Sequence, residues 1–396
     1  MEETFWPALA PQCISAGRVL FFDRHTFATD DSATAHGGLH DYPDGPCSAS
    51  EEMKKDNDDA MKSDHQMQCI ACGSNMETFI ERISDDRYGC PGVYSIKRCV
   101  SCGHMTTTPP LTEEDLPGLY STYYPRREVD FSAIEREAAL VNKPFAAFNR
   151  WMAGTDHQGH YLARPGEKVL DVGCGSCISL LEMRNKGIES WGIEADPNVR
   201  TIADHFGLQV HIGNIYDLPF PDMKFDLIVL NQVLEHVPDP AAMLRAVRER
   251  LTPQGRVVMA FPNTGSFHRK IWKDRWINWH IPYHQNHFNR ISFTKLAGQF
   301  GYGIETVRTV TPNLWSVLQL RTARERKQEG KSSSTWVHDV DAIGGRPPFF
   351  TRLKNAALSR GARGAGMVMG LGNRILDAAG MGDSILFVLK PTSKKL

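Results

Sequence analysis

The chain has 396 residues, with 41% hydrophobic and 23% charged side chains and a net charge of −1, as in ordinary globular proteins. No apolar run approaches the roughly 18 residues that span a membrane, and the acidic start MEETFWPALA lacks the basic region of a secretory signal. We therefore expect a soluble, cytoplasmic protein whose nine cysteines are thiols or metal ligands rather than disulfides.

Charge is distributed unevenly along the chain. Residues 1–68 carry 13 acidic and 5 basic side chains, whereas residues 321–396 carry 14 basic and 6 acidic ones. The acidic residues 1–66 show no hydrophobic period, so we expect this segment to be disordered on its own. The basic end could meet an anionic substrate, a nucleic acid or a lipid surface, or it could be a solvated helix surface.

Two cysteine pairs follow between residues 67 and 125. Cys69 and Cys72 form one C-x2-C pair, Cys99 and Cys102 form the other, and 26 residues separate the pairs. This spacing lets all four sulfurs face one metal, and four thiolates make the closed tetrahedral site of structural zinc. The sequence therefore predicts a zinc ribbon over 67–125, with redox-active pairs as the alternative and no open position for metal catalysis.

Helical and strand-like segments alternate from residue 126 onward. The segments KVLDVG, SWGIEA, LQVHIGN, FDLIVLNQV and GRVVMAFPN are strand-like, and helical patterns of about 10–15 residues separate most of them. This alternation predicts an α/β fold with a parallel sheet over 126–312. Two more strand-like segments, IETVRTVTP and SILFVLKP, enclose a basic, partly helical insertion at 313–382. The second of these segments, SILFVLKP, is the strand of the predicted final unit, which covers the last strand and the tail at 383–396.

The stretch VLDVGCGSC at 169–177 has the form of a strand that ends in a glycine turn and opens a helix. Gly173 and Gly175 allow a sharp turn and the close approach of a ligand. A dinucleotide fingerprint would place a third glycine at Ile178, so NAD is disfavoured. Asp171 would suit an amino-acid ammonium better than a pyrophosphate. The pattern therefore favours a nucleoside that carries an amino-acid tail.

Four later positions extend this candidate nucleoside site. Glu194 ends the next strand, 19 residues after Gly175, where a carboxylate can accept both ribose hydroxyls. Asn214 and Ile215 stand where an adenine edge and face would lie. Asn231 ends the fourth strand, at the carboxyl edge of the predicted sheet.

The ordered set VLDVGCG, GIEA, GNIYDLPF and FDLIVLNQVLEHVPDP resembles class I S-adenosylmethionine (SAM) dependent methyltransferases over about residues 165–310. The resemblance implies a seven-stranded Rossmann-like sheet whose last strand inserts antiparallel beside the fifth, a place that SILFVLKP suits. It also implies SAM as the cofactor, surrounded by Asp171, Gly173, Gly175, Glu194, Asn214, Ile215 and Asn231. One departure is Asn214, where many relatives have aspartate.

A second resemblance concerns the join between the ribbon and the first helix. The stretch RCVSCGHMTTTPPLTEEDLPGLYSTYY is similar to a bacterial methyltransferase subgroup with an N-terminal four-cysteine zinc ribbon. Many members of that subgroup are linked with sugar, polysaccharide or secondary-metabolite pathways. Because a fold does not fix a substrate, this link is an association only.

Candidate catalytic residues follow the fourth and fifth predicted strands. His280, His284 and His287 lie together in WHIPYHQNHF, with Tyr283 among them, and His236 lies in LEHVPDP. A hydroxyl acceptor needs a base near neutral pH, which histidine can supply. We predict that His284 is the base or orients the acceptor, that His280 and Tyr283 support it, and that His236 is the next candidate. A packing role is the alternative for each.

The sequence therefore predicts a SAM-dependent methyltransferase that acts on an oxygen, or a carbon or nitrogen, of a small-molecule or glycosyl acceptor. One alternative is an RNA or protein methyltransferase that holds its substrate with the ribbon and the basic insertion. An aromatic and basic ribbon surface would favour it, but the mixed charge of the ribbon counts against nucleic acid. Another alternative is a non-catalytic SAM-fold binding module. The basic insertion leaves contact with a membrane surface open.

Overall fold

The computed structural model describes residues 67–124, 129–325, 329–337 and 366–392, so the acidic segment 1–66 lies outside the described residues. The strands are β1 (Met76–Ile83), β2 (Tyr94–Cys99), β3 (Met105–Thr108), β4 (Lys168–Val172), β5 (Glu189–Glu194), β6 (Gln209–Ile212), β7 (Phe225–Asn231), β8 (Leu251–Pro262), β9 (Asn286–His287), β10 (Tyr302–Val310) and β11 (Ser384–Pro391). The helices are α1 (Asp115–Tyr123), α2 (Phe131–Ala139), α3 (Ala146–Ala153), α4 (Ile178–Arg184), α5 (Val199–Phe206), α6 (Pro240–Glu249), α7 (Phe267–Trp272), α8 (Arg290–Gln299), α9 (Asn313–Thr322), α10 (Ser334–Val337) and α11 (366–378).

The larger sheet has seven strands in the order β10-β11-β8-β7-β4-β5-β6. The pairs among β4 to β8 are parallel, whereas β11 pairs antiparallel with both β8 and β10. This topology confirms the predicted α/β fold, including the last strand inserted antiparallel beside the fifth strand, β8. Because the carboxyl ends of parallel strands share one edge, β4, β5, β7 and β8 all end at the same crevice.

Both faces of the larger sheet are buried. Leu170 and Leu230 pack into one hydrophobic core, and Val169 and Val229 pack into a second core on the other face. All four side chains are at most 1% exposed. A strand covered on both faces has a nearly continuous apolar sequence, which is why KVLDVG and FDLIVLNQV could be identified as strands.

The smaller sheet has four antiparallel strands in the order β1-β2-β3-β9. The first three belong to the cysteine-containing ribbon. The fourth, β9, comes from the histidine-rich segment after β8, and it pairs Met105 with His287 and Thr106 with Asn286. The two-residue strand β9 is too short to show a pattern in the sequence. Through it, the ribbon and the histidine-rich segment share one sheet.

One predicted helix is broken in the structure. The sequence predicts a helical segment from Glu135 to about Ala163, but α2 and α3 occupy it with an extended residue, Lys143, between them. Lys143 precedes Pro144, and a residue before proline avoids the helical region. A 3-10 turn at Gly159–Leu162 ends the segment.

The insertion predicted at 313–382 is described in part. It contains α9, α10 and α11, whereas residues 338–365 lie outside the described residues. The guanidinium group of Arg374 on α11 donates to the carbonyl oxygens of Trp151 and Thr311, which fixes this helix beside α3. Among the described helices, none has the length and apolar character needed to cross a membrane.

Candidate active site

The glycine turn joins β4 to α4 in a conformation that favours glycine. Gly173 has a φ of +74° and Gly175 a φ of +51°. The backbone N–H groups of Gly173 and Cys174 donate to the carbonyl oxygen of Ile193, at 2.8 and 3.1 Å. A Cβ atom on Gly173 would lie 2.6 Å from the Cγ2 atom of Val233. The turn is therefore held closely between β5 and the residues that follow β7.

Two buried carboxylates flank this turn. Glu194 is 4% exposed, and its Oε2 atom accepts the backbone N–H of Gly175 at 2.7 Å while Oε1 accepts that of Ala195 at 2.9 Å. Asp171 is fully buried and accepts the hydroxyl of Ser179. The structure thus brings Asp171, Glu194 and the two turn glycines together.

The other predicted cofactor residues, Asn214, Ile215 and Asn231, make contacts within the protein that occupy part or all of their side chains. The side-chain oxygen of Asn214 caps a 3-10 turn by accepting the backbone N–H groups of Tyr216 and Asp217. Ile215 is 1% exposed and packs into the core, so its side chain presents little surface to an adenine. The Oδ1 atom of Asn231 accepts the backbone N–H of Gly159 at 2.9 Å. Its Nδ2 atom has no hydrogen-bond partner among the described residues.

The predicted catalytic residues form a cluster beyond β7 and β8. The Nε2 atom of His284 lies 3.3 Å from the Nδ1 atom of His280, and its Nδ1 atom lies 2.9 Å from the carbonyl oxygen of Asn278. The rings of His236 and His284 are 4.5 Å apart. The Nδ1 atom of His236 is 3.1 Å from the carbonyl oxygen of Tyr283. The structure therefore brings His236, His280, Tyr283 and His284 together.

Several polar atoms in this histidine pocket have no hydrogen-bond partner among the described residues. They are both carboxylate oxygens of Glu235, the Nε2 atoms of His236 and His280, and the hydroxyl of Tyr283. A buried, unsatisfied polar group costs about 1–3 kcal/mol, so ordered water or a bound molecule is expected to satisfy these atoms. Glu235 is only 1% exposed, and it is not among the residues that the sequence predicts for the site. The sequence does contain one indication of Glu235, namely a charged residue in LEHVPDP just after a buried strand.

Burial determines the charge of the pocket. It lowers the pKa of His236 to about 4 and holds the pKa values of His280 and His284 well below 6.5. It also raises the pKa of Glu235 to about 8. Because desolvation disfavours every charged form, the pocket favours neutral imidazoles and a protonated carboxyl group.

Tyrosines form one wall of the histidine pocket. The rings of Tyr88, Tyr120 and Tyr124 lie 5.5, 5.2 and 5.8 Å from the ring of Tyr283. The hydroxyl of Tyr120, on α1, is 3.1 Å from the Nδ1 atom of His236. Burial, and then the charges of Glu235 and Glu194, raise the pKa of Tyr120 well above its usual value. Tyr120 therefore belongs to the wall of the histidine pocket.

Two non-glycine residues at this crevice adopt positive φ angles. Gln232, directly after β7, has a φ of +53°, and His280 has a φ of +42°. Such conformations cost of order 1–3 kcal/mol each and concentrate at functional sites. The backbone at the carboxyl ends of the strands is thus held in place by its surroundings.

The four predicted metal ligands also come together. The Sγ atoms of Cys69 and Cys102 are 3.5 Å apart, and those of Cys72 and Cys99 are 3.4 Å apart. Two backbone N–H groups, those of Ala71 and Cys102, point at sulfurs of the cluster at 3.4 Å. Four convergent thiols with amide donors fit a structural metal ion such as zinc. Cys90 and His104 lie outside the cluster.

The ribbon contacts the histidine-rich segment directly. The hydroxyl of Thr107 donates to the carbonyl oxygen of His284 at 2.6 Å and lies 3.0 Å from the Nε2 atom of His287. The side chain of Asn289 donates to the carbonyl oxygen of Gly103 at 2.9 Å. The ribbon therefore supports the backbone of the histidine pocket. His287 faces the ribbon rather than the other histidines.

The surface where the ribbon meets α7 combines an aromatic ring with cations. The guanidinium groups of Arg98 and Arg269 lie 5.0 and 5.9 Å from the ring centre of Phe79. Both arginines, with Arg290, border a groove of about 750 Å³. Such a groove favours an anionic group on a ligand.

Residues 146–307, which contain the glycine turn and the histidine pocket, match the family model described as a methyltransferase domain. This segment is therefore similar to methyltransferase domains. The match includes all the candidate cofactor residues and the candidate catalytic residues. The four cysteines of the ribbon lie outside the matched segment.

Curated relatives match over short stretches. A protein named ubiquinone biosynthesis O-methyltransferase, from Xanthomonas oryzae pv. oryzae, is 30% identical over 148 residues, which is 33% of this chain and 61% of that protein. An uncharacterized 37.1 kDa protein in transposon TN4556 of Streptomyces fradiae is 36% identical over 112 residues, covering 26% of this chain and 32% of that protein. The chain thus spans under two thirds of either relative.

The solved structures that match this chain are distant in sequence. One is from a complex between the Haloferax volcanii Trm112 methyltransferase activator and a methyltransferase, with 15% identity, a TM-score of 0.38, and coverage of 67% of this chain and 100% of that chain. Another is a SAM-dependent methyltransferase from Thermotoga maritima, with 14% identity, a TM-score of 0.37, and coverage of 66% and 99%.

Proposed function

We propose that this chain is a SAM-dependent methyltransferase that transfers a methyl group to an oxygen of a small-molecule or glycosyl acceptor. One observation carries the proposal. The glycine turn with Glu194 follows β4, and the pocket of unsatisfied polar atoms includes residues that follow β7, so both lie at the same edge of the sheet. A cofactor site and an acceptor site must be adjacent for a group to pass between them.

The chemistry needs little from the protein beyond position and proton transfer. SAM supplies a methyl group on a positively charged sulfur. The acceptor oxygen forms a bond to that carbon, the carbon–sulfur bond breaks, and its electron pair stays on sulfur, which gives S-adenosylhomocysteine. The acceptor loses its proton to a base. The neutral imidazoles of His284 and its neighbours are available to hold that hydroxyl and receive its proton.

Two further features support this function. The Xanthomonas relative is named as an O-methyltransferase, which favours oxygen over carbon or nitrogen. The four cysteines fit a structural zinc ion that would stabilise the ribbon and, through Thr107, the backbone at His284. Methylation of RNA or protein is a second candidate, because a groove between the ribbon and the larger domain is bordered by Arg98 and Arg269.

Titration calorimetry with the full chain tests the cofactor. SAM and S-adenosylhomocysteine should bind with a Kd in the micromolar range, roughly −8 kcal/mol, and NADH should not compete. Tighter binding of NADH than of S-adenosylhomocysteine would overturn the proposal. The same preparation, given SAM with a labelled methyl group, should methylate hydroxylated small molecules. Transfer only to an added RNA or protein would establish the second candidate instead.

Replacement of His284 with alanine should lower the rate of methyl transfer about 10²–10⁴-fold, the usual value of a general base. The affinity for SAM should stay within a few-fold, since His284 does not contact the glycine turn. His157→Gln is a control for a buried histidine elsewhere in the domain. If His284→Ala keeps full turnover, His284 has only a packing role. His236, with its unsatisfied Nε2 atom, then becomes the candidate for the general base.

A further inference from the structure

Three arginines border the groove between the ribbon and the larger domain. Arg98 is on β2, Arg269 is on α7 and Arg290 begins α8, so they come from three separate parts of the chain. Arg98 and Arg290 are exposed, and Arg269 is half-buried. Among the described residues, none of the three forms an ion pair with a carboxylate. The fold thus gathers three unpaired positive charges at one place.

Arg269 is held in position by its neighbours. Its Nε atom donates to the carbonyl oxygen of Thr264 at 2.6 Å, and its guanidinium group lies 5.9 Å from the ring centre of Phe79. Its Nη1 and Nη2 atoms donate to no residue in the described part of the chain. Because a guanidinium group has five N–H donors in one plane, the outer edge of Arg269 stays available to a ligand.

Arg98 and Arg269 are close enough to repel each other. The guanidinium group of Arg98 lies 5.0 Å from the centre of the same ring, that of Phe79. Burial, and then the charge of Arg98, lower the pKa of Arg269. Two like charges at such a separation destabilise the protein unless an opposite charge lies between them. An anion bound in the groove would remove this repulsion.

The far end of the groove has the opposite character. Asp377, on α11, lies there with its Oδ2 atom 2.8 Å from the guanidinium group of Arg374, and the lining residue Arg308 pairs with Asp156 at 2.7 Å. Residues 378–380, where α11 ends, also line this end, and the C-terminus of a helix carries a partial negative charge. The groove therefore favours an anionic group at its ribbon end.

One short segment joins the groove to the histidine pocket. His284 belongs to the pocket, and Asn289, five residues later, lines the groove. Five extended residues span at most about 18 Å. The carbonyl oxygen of Phe288 accepts the backbone N–H and the hydroxyl of Thr264, at 2.9 and 3.0 Å, which ties this segment to the groove wall. The pocket and the groove thus lie within the length of one elongated small molecule.

We propose that this groove binds the phosphate or diphosphate group of the methyl acceptor, a step that rests on the proposed function. Three arginines match the two or three negative charges of such a group, and guanidinium groups pair with phosphate oxygens through two parallel hydrogen bonds. The volume of about 750 Å³ is in the range of small-molecule sites. The preferred acceptor is therefore a phosphorylated small molecule, such as a glycosyl phosphate.

The surroundings favour a small molecule over RNA. Sites for single-stranded RNA combine a long basic track with exposed aromatic rings that stack on bases. Here the ring of Phe79 already contacts two guanidinium groups. Glu77, which is exposed, stands opposite Arg98 in the pairing of β1 with β2. The positive surface is thus interrupted directly beside the groove.

Calorimetry with inorganic pyrophosphate tests the groove without SAM or turnover. The full chain should bind pyrophosphate, and rising salt should weaken the binding. Arg98→Gln and Arg269→Gln should each raise the Kd at least roughly tenfold, because each removes charge-assisted hydrogen bonds. Arg82→Gln, which changes an exposed arginine of β1 that does not border the groove, should bind as the wild type does. Absence of binding, or one affinity in all four proteins, contradicts the proposal.

Folding is monitored separately, since Arg269 is half-buried. Arg98 is exposed, so Arg98→Gln should keep the melting temperature and the zinc content of the wild type while it loses pyrophosphate. If Arg98→Gln binds pyrophosphate as tightly as the wild type, the groove is not the phosphate site. A single-stranded RNA that binds more tightly than pyrophosphate, and loses its affinity in the same two variants, would assign the groove to RNA instead.

Sugar phosphates and nucleoside diphosphate sugars, each beside its phosphate-free sugar, test the acceptor with labelled SAM. Methyl transfer should favour the phosphorylated member of a pair, and pyrophosphate should inhibit it competitively. Arg98→Gln should raise the KM for that acceptor at least roughly tenfold and leave kcat within a few-fold, because the groove binds a part of the acceptor that does not react. A preference for the phosphate-free member overturns this role.

The two proposals fail in different ways. Methyl transfer that favours phosphate-free acceptors and ignores pyrophosphate would overturn the role of the groove and leave the methyltransferase function intact. Binding of pyrophosphate that depends on Arg98 and Arg269, with no binding of SAM, would overturn the methyltransferase function. The groove would then remain a phosphate site, but its ligand would not be a methyl acceptor.

Discussion

Gly173→Val is expected to abolish SAM binding and, with it, methyl transfer. Gly173 has a φ of +74°, and a Cβ atom there would lie 2.6 Å from Val233. A valine would force the turn away from Glu194 and from β7, because neither the angle nor the space permits its side chain. The dissociation constant of S-adenosylhomocysteine, measured by calorimetry, should rise more than roughly 100-fold, about 2.8 kcal/mol.

Gly207→Val is the matched control. Gly207 ends α5 with a φ of +61°, and nothing lies within 4 Å of a Cβ atom there. The Gly207→Val variant is destabilised by the same amount, about 1–2 kcal/mol, because valine disfavours this backbone conformation. It should nevertheless bind S-adenosylhomocysteine normally. Glu194→Gln, which keeps the shape of the side chain but has one oxygen in place of the two that accept the N–H groups of Gly175 and Ala195, should also weaken binding. If Gly173→Val binds as tightly as the wild type, the cofactor does not occupy this turn.

Cys102→Ser is expected to eliminate methyl transfer while SAM binding persists. Loss of one thiol should release the zinc ion and loosen the ribbon, since structural zinc contributes directly to folding free energy. The ribbon holds the backbone at His284 through Thr107, whereas the glycine turn belongs to the larger sheet. The zinc content measured by elemental analysis should fall from about one zinc per chain in the wild type toward zero in the variant.

The control for this variant is Cys90→Ser, which changes a buried cysteine outside the four-thiol cluster. It should keep its zinc. Calorimetry on Cys102→Ser should give an S-adenosylhomocysteine affinity within a few-fold of the wild type. If zinc is lost but turnover on the acceptor is unchanged, the ribbon does not support the histidine pocket. If neither protein contains zinc after careful purification, the four thiols are not a zinc site.

The larger sheet could be predicted from the sequence because its signals are local. A strand covered on both faces is apolar throughout, and Gly173 and Gly175 mark the turn that follows β4. The antiparallel place of β11 came from the family resemblance. The break in the helical segment at Pro144 was also a local signal, but the helical pattern on either side of it masked the interruption.

The histidine pocket could be predicted only in part, because its walls come from separate parts of the chain. His280, Tyr283 and His284 stand together in the sequence and were identified together. Glu235 carries one charge in an otherwise ordinary loop, and only its burial without a partner distinguishes it. Tyr88 and Tyr120 reach the pocket through the ribbon and α1, which no periodicity in the sequence relates to β7.

The pairing of β3 with β9 has a consequence for the order in which the molecule is completed during synthesis. Thr107 and His284 are 177 residues apart, so the ribbon leaves the ribosome long before its fourth strand exists. Closing so long a loop is slow, and until then the free edge of β3 can pair with other chains. The cysteines can gather early, because they are close in sequence, but the acceptor pocket must wait for β9. A nascent chain that stalls before residue 286 would therefore carry a three-stranded ribbon with a free edge and an acceptor pocket without the support of β9.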